Sequence, residues 1–572
     1  MGLHEKRDGL LSRKEGHELT ASKLQVEVIK HSLTYASEEM GIALKKSAYS
    51  PNIRERADHS CAILDQTGRT LGQAEHIPVH IGSFSLGLKQ TFEHLKGEGI
   101  ESLPGDMFIV NDPYISGTHL NDVTVIRPVF LDGNIIGYAA NKAHHVDVGG
   151  STPASINPLA RELSEEGVLI PPMKLMEKND LRFEAVKQLT SNARMPETTL
   201  GDLRAQIAAN LLGERRILEL AGKTSLEDFE KSCELILDQT HKLAMAAYAK
   251  LPKGSWKSVD YVELGDRLPV VAVMVTITDE GVEVDFNGSE PQVPAPLNAV
   301  LGVTTAASTF AIRTLMPRDL PLNDGFIRTI HVKAPEGSIV NPHKPAPVAA
   351  GNLETSQRIV DAIYKALSEP LPKTIPAAAH GSMNNLMMGG THPVTGKPWA
   401  FYETNGGGYG GRFESDGVNA VQVNMTNTLN TPIEVMEHYY PVMFRAYRIR
   451  DGSGGAGKWR GGLGIERSFT TRARIEVTVL GDRCKIQPYG LNGGLAGKSS
   501  EYSVARANDE EVKLDSKDTT ILEAGDTLTM RTAGGGGFGQ PHDRDPSLVR
   551  SDIENHCITS TEAAKIYHYA ED

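Results

Sequence analysis

The dipeptide Asp132-Gly133, set between the β-rich runs VTVIRPVF and IIGYAANK, constrains this chain more than any other feature. Asp-Gly is a strong hairpin signal because both central residues of a tight type I′ turn need positive φ. A two-residue turn there makes residue 131 face 134 and residue 121 face 144. The open end of the ribbon then gathers His119, Asn121, Asp122 and His144. Two imidazoles and a carboxylate at one ribbon end suit a divalent cation that accepts mixed nitrogen and oxygen ligands, such as zinc, manganese or iron. His145 and Asp147 compete for the ligand roles, since either neighbour could face the site. Pro128 lies inside the first run, and proline pushes a strand toward an edge or a bulge. A bulge would slip the pairing by one residue.

The whole chain narrows the setting. Its 572 residues exceed what one core can organise, which predicts about two to four domains or sub-domains. A hydrophobic share of 40% with 23% charged residues is ordinary for a folded soluble protein. A net charge of -13 argues against a general affinity for nucleic acid or for anionic membrane. Cys61, Cys233, Cys484 and Cys557 are widely spaced, with no CxxC pair, so a disulfide framework is not expected. The first residues lack the apolar core of a secretory signal. The most apolar run, VVAVMVTI at 270–277, is far shorter than the roughly 20 residues a membrane helix needs. A cytoplasmic location is expected.

Organisation follows from periodicity. Residues 1–19 read as a polar segment. Val26, Ile29, Leu33, Ala36, Met40 and Leu44 recur at helical spacing, and helix returns over about 197–250, with Leu203, Ile207, Leu211, Leu235, Ile236 and Leu243 as expected core. A soft boundary near 250 separates a metal-binding region (20–250) from a β-rich, glycine-rich region (251–545), with a polar tail at 546–572. VVAVMVTITDEGVEVDF reads as a second hairpin, and AAGNLETSQRIVDAIYKALSE as a loop feeding a helix with Ile359, Ile363 and Leu367 inward. Glycine clusters such as ETNGGGYGGR and AGGGGFGQP have no fixed period and imply tight turns and close backbone approaches. The expected fold class is α+β: a multi-layer mixed protein with a β-hairpin metal site in its N-terminal half.

Eight blocks carry a family resemblance: ERADHSCAILD, HIPVHIGS, NDPYISGTHLNDVTV, AHHVDVGG, GNLETSQRIVDA, NTLNTPIEVME, GGAGKWRGGLG and AGGGGFGQP, in that order. Together they resemble the hydantoinase B/oxoprolinase family, which includes B subunits of ATP-dependent hydantoinases and 5-oxoprolinases and is related to ketone carboxylase large subunits. The resemblance implies a divalent metal held by His119, Asp122 and His144, with Asp58 as a fourth ligand. An Asp at 58 could equally pair with Arg54 or Arg56. The resemblance expects glycine where this chain has Ala154. It also implies a hetero-oligomer in which a separate actin-like ATPase of the hydantoinase A type binds ATP with magnesium.

The chemistry then expected is ring opening of a lactam, hydantoin or 5-oxoproline after the amide oxygen is phosphorylated. Water acidified by the metal would attack, with His144, His145 and Asp147 as catalytic or orienting groups. Glu354, Gln357 and Arg358, near a helix start, are candidates for binding a polar substrate, with a salt-bridged helix start as the plain alternative. His76 and His80 are four apart, but the intervening Ile77-Pro78 disfavours a continuous helix, so structural or site-lining roles are expected. GSGGAGKW at 452–459 ends in Trp459 where a phosphate loop needs Ser or Thr, and NGGLAGKS at 492–499 begins with Asn492; both read as glycine turns. Two other functions stay open: the large subunit of an acetone- or acetophenone-type carboxylase, and a scaffold with a structural metal.

Overall fold

The computed structural model describes residues 5–74 and 76–570, with side chains from residue 23 onward. Residues 1–4 of the expected polar segment lie outside the described residues; from Glu5 the backbone is helical without a break to Ser47. Val26, Ile29, Leu33, Ala36, Met40 and Leu44 are all buried along this helix. No helix among the described residues is long and apolar enough to cross a membrane.

Beneath that helix lies a seven-stranded sheet. Its strands are β1 (His59–Asp65), β2 (Thr70–Ala74), β3 (Met107–Val110), β4 (Asp122–Leu131), β5 (Asn134–His144), β6 (Met173–Glu177) and β7 (Asp180–Leu181), in the spatial order β2-β1-β5-β4-β3-β6-β7. The hairpin turns at Asp132 and Gly133, with φ of 50° and 83°, as a turn with both central residues left-handed requires. Pairing starts with Leu131 opposite Asn134, then shifts between Val129 and Phe130. Val129 pairs with Gly137, leaving Ile136 as an extra residue on β5, next to the position where Pro128 pairs with Tyr138. The slip carries through the ribbon and sets Asp122, rather than Asn121, directly opposite His144.

Helices Pro196–Ala221 and Leu226–Tyr248 cover one face of this sheet together with the N-terminal helix. Leu203 and Ile236 are buried as expected, but Leu211, Leu235 and Leu243 are exposed. For Leu211 the reason is that close approach selects small residues for the inner face: Ala205, Ala209 and Gly213 face inward, and a Cβ on Gly213 would sit 2.5 Å from the Met40 sulfur. On Leu226–Tyr248 the inward stripe is Phe229, Cys233, Ile236, Leu237 and Ala244, which leaves Leu235 and Leu243 outside. The helix Ser83–Gly97 packs Phe84 and Leu88 against the other face.

The expected boundary near 250 falls in the link after Tyr248. Beyond it, β8 (Gly254–Tyr261), β9 (Val270–Ile277), β10 (Val282–Asp285) and β11 (Ile330–Lys333) form a four-stranded sheet in the order β11-β10-β9-β8. The largest apolar core runs across this boundary, joining Ile109 and Val125 to Val275, Ile363 and Leu480. Two further sheets follow, one of four strands that includes Asn385–Thr391 and Pro398–Glu403 and one of five. The protein is thus a mixed α and β fold with several sheets.

Between these strands the glycine clusters lie backbone against backbone. A Cβ on Gly410 would sit 1.8 Å from the Ala377 carbonyl oxygen, and one on Gly408 2.0 Å from that of Gly462. Neither glycine is left-handed, so close approach and not turn geometry excludes a side chain. GSGGAGKW and NGGLAGKS belong to this packing, and neither leads into a helix.

Candidate metal centre

Strand parity decides which side chains meet. Successive residues of a strand face opposite sides, so His144 and His145 cannot share one. His144 shares a face with Asp122, its cross-strand partner, while His145 turns to the other face and pairs through Nε2 with Gln206 Oε1 at 2.9 Å. β1 runs beside β5, with Ser60 opposite Lys142, and the His144 amide donates to the Asp58 carbonyl at 3.1 Å. His144 therefore lies between Asp122 on one neighbouring strand and Asp58, just before the other. His119 comes from the turn before β4, where the Asp122 amide donates to the His119 carbonyl at 3.0 Å.

The result is one buried group. Ligand atoms of His119, Asp122 and His144 all lie within 4.8 Å of one another. His119 Nε2 is 3.4 Å and His144 Nδ1 3.5 Å from Asp122 Oδ1. Asp58 Oδ2 is 4.0 Å from His144 Nδ1 and 3.9 Å from the Arg56 guanidinium, so it stands between the cluster and a buried cation. His80 Nε2 lies 3.4 Å from the other Asp122 oxygen, and its Nδ1 meets Ser60 Oγ at 2.9 Å. The Tyr402 ring stacks on His144 at 4.6 Å with 12° between planes, and Arg56 lies over the same ring at 4.8 Å. Nothing in the sequence pattern marked Tyr402, which reaches the site from a sheet more than 250 residues away in the chain.

Charges in the group interlock. Burial opposes ionisation of Asp122, yet His119, then His144 and His80, hold its carboxyl well below the usual carboxylate range. Burial alone would lower His119, but the Asp122 carboxylate beside it raises it above the ordinary histidine value. Burial lowers His144 despite the opposing pull of Asp58 and Asp122.

These residues fit a divalent cation. Both ring nitrogens of His119, together with Asp122 Oδ2 and His144 Nε2, are buried without any hydrogen-bond partner. Buried polar atoms in folded proteins are otherwise paired in the great majority of cases. Two imidazoles with one or two carboxylates form the mixed donor set that first-row metals accept.

The cluster opens onto a cavity of about 20 Å³, lined also by Ile77, Val79, Asn352, Leu353, Met383 and three threonines. That is room for about one water, so a ring-sized ligand enters only when a wall moves. A larger cleft of about 620 Å³ between Pro153, Arg194 and Arg474 holds no such cluster.

The remaining expected site residues lie elsewhere. Asp147 is engaged by the Arg194 side chain at 2.8 Å and the Ala154 amide at 3.1 Å. Ala154 itself is left-handed, with φ of 64°, a conformation that suits glycine. Glu354 is buried and accepts from the Met383 amide and from Asn385, while Gln357 donates to the Val423 carbonyl. Arg358 is buried among Asp260, Asp361 and Asp482. His76 is partly exposed beside Glu38.

The sequence profile of the Hydantoinase B/oxoprolinase family matches residues 22–541. The chain is 33% identical to 5-oxoprolinase 1 of Arabidopsis thaliana over 91% of its own length, but spans only 42% of that protein. It is 31% identical to the B component of a putative D-/L-hydantoinase from a Pseudomonas species, covering 95% of this chain and 94% of the relative. The crystal structure of the ATP-dependent caprolactamase from Pseudomonas jessenii superposes with a TM-score of 0.89 at 25% identity, over 96% of both chains. With nearly the whole chain matched in both sequence and fold, the protein belongs to the hydantoinase B/oxoprolinase family.

Proposed function

We propose that this chain is the metal-bearing subunit of an ATP-dependent hydrolase of cyclic amides. The observation that carries the reading is the convergence of His119, Asp122 and His144 in one buried group in which neither His119 ring nitrogen makes a hydrogen bond. The kinship supports the substrate class, since 5-oxoprolinase, hydantoinase and caprolactamase are names of cyclic-amide enzymes. The plant 5-oxoprolinase is more than twice as long as the stretch matched here, which suits a chain that supplies part of the machinery. The rest is assigned to an actin-like ATPase partner that binds ATP with magnesium and phosphorylates the amide oxygen.

His119, Asp122 and His144 would hold the cation, with Asp58, 4.0 Å from His144, as a further carboxylate. When bound, it supplies Lewis-acid polarisation of the amide oxygen and lowers the pKa of water. The chain's own residues do the rest. Tyr402 fixes the plane of His144 by stacking, and Arg56 donates to the Tyr402 backbone carbonyl at 3.0 Å. His80, anchored by Ser60, sits beside the second Asp122 oxygen. Ile77, Val79, Leu353 and Met383 form an apolar wall suited to ring methylenes and to excluding bulk water.

The test is co-expression with an actin-like ATPase partner, followed by ATP hydrolysis assays with 5-oxoproline, hydantoins and caprolactam. Lactam-stimulated, bicarbonate-independent ATP hydrolysis is expected. Stimulation by a ketone that requires bicarbonate would overturn the reading in favour of a carboxylase, and a complex no cyclic amide stimulates would remove its substrate class.

A further inference from the structure

We propose that Asn352 recognises the cyclic-amide edge of the substrate; this deepens, and rests on, the function proposed above. Asn352 lies in a π-helical turn, Gly351–Thr355, that feeds the helix Ser356–Leu367. Such turns are rare and concentrate at functional sites. This one is pressed into place: a Cβ on Gly351 would sit 1.9 Å from the Asn298 carbonyl oxygen. Asn298 is itself held by its side-chain amide, which donates to the carbonyls of Val293, Ala295 and Pro347 at 2.8–3.0 Å.

The turn delivers one polar side chain to the cavity that also bears Asp58, Asp122 and His144, and that side chain is Asn352. It is 3% exposed, its Oδ1 is buried without a partner, and its side chain makes no hydrogen bond among the described residues. The neighbouring Glu354 and Gln357 do not line the cavity. Thr404 and Thr428, across it, bond to each other and to Arg56. Asn352 is thus an unengaged carboxamide facing the metal cluster, and a buried amide of that kind calls for a ligand.

Its chemistry matches one edge of a lactam. A small ring forces its amide to be cis, so the N–H and the carbonyl oxygen lie side by side. A linear secondary amide is almost always trans, with the two groups pointing apart. A primary carboxamide offers an acceptor and a donor side by side as well. Asn352 Oδ1 accepts the ring N–H while Nδ2 donates to the ring carbonyl, whose second lone pair stays free for the metal centre. The residue thereby selects cyclic over linear amides.

The experiment is a cycle between protein and ligand. Binding of 2-pyrrolidinone and of N-methyl-2-pyrrolidinone to the metal-loaded full chain is measured by ligand-observed NMR, in the wild type and in Asn352→Leu. Asn352→Ala serves as a second variant should the first not fold, and metal content is checked in each. In the wild type, N-methylation weakens binding about tenfold. In either variant the ratio falls to about one, because the partner of the N–H is gone. A purely structural role would weaken both ligands alike and leave the ratio unchanged; that result overturns the assignment, as does a wild type that binds neither ligand or both equally. Lactam-stimulated ATP hydrolysis by the complex separates the two readings. Where it persists while the binding cycle fails, only the role of Asn352 falls; where it is absent, the proposed function falls.

Discussion

Replacing Arg358 with methionine tests whether this residue holds the core together or meets the substrate. Its guanidinium is fully buried, with Nη2 2.9 Å from Asp361, Nη1 3.4 Å from Asp260 and Nε 3.7 Å from Asp482. Nη2 also donates to the Gly381 carbonyl. Without it, the three buried carboxylates keep Arg483, 2.7 Å from Asp361, and Lys517, 2.7 Å from Asp482, as their close cations. Removing one partner of a buried ion cluster costs about 3–5 kcal/mol. The loss depends on pH. Burial raises Asp361 from 3.8 to about 7 even with Arg358 pulling it down. A folded value above the unfolded one means the native chain binds this proton more tightly, so stability from this group falls as pH rises from about 4 to about 7. At 1.36 kcal/mol per pH unit, that change amounts to about 4 kcal/mol. Loss of the guanidinium raises Asp361 further, so the part of the gap between wild type and Arg358→Met that comes from this group opens as pH rises above about 7 and grows toward the variant's higher value. Calorimetric Tm values at one scan rate across this range provide the measurement. A variant with wild-type Tm near about pH 8 but weakened lactam binding would refute this reasoning and return Arg358 to the substrate.

Three further outcomes follow from particular contacts. Tyr402→Leu removes the ring stacked on His144 without touching a ligand atom; chelator competition should show metal affinity reduced by about tenfold, and unchanged affinity would contradict a positioning role. Gly410→Ala puts a Cβ where the Ala377 carbonyl oxygen already lies, an overpacking worth about 1–3 kcal/mol or more, and a wild-type Tm would contradict the packing described. Ala154→Gly relieves a left-handed alanine, worth about 1–2 kcal/mol, against about 0.5–1 kcal/mol of added freedom in the unfolded chain and about 0.8 kcal/mol for the buried methyl lost; Tm should stay close to the wild type, and a large fall would show that the backbone there carries no strain.

How far the sequence could be read depends on the range of each interaction. The Asp132-Gly133 turn is local, so its position and the meeting of His119, Asp122 and His144 at the ribbon end were legible. Pro128 warned of a bulge but could not show on which strand the extra residue would lie. Ile136 took that place and moved Asp122 opposite His144. The helical stripe from Val26 to Leu44 was legible for the same local reason, whereas Leu211 misled because small residues, not large ones, made the close contact. Tyr402 and Asn352 reach the site through tertiary contacts and a π turn, neither of which has a sequence period. The glycine clusters announced close approach but not its partners, such as Ala377 beside Gly410.

The most direct measurement is elemental analysis of the purified chain for divalent metals, comparing wild type with His119→Ala and His145→Ala. About one equivalent is expected in the wild type, with loss in His119→Ala and retention in His145→Ala, since the His145 ring pairs with Gln206 on the opposite face of the sheet. A metal-free wild type under conditions that load other metalloproteins, or a His119→Ala chain that keeps its metal, would contradict the metal assignment.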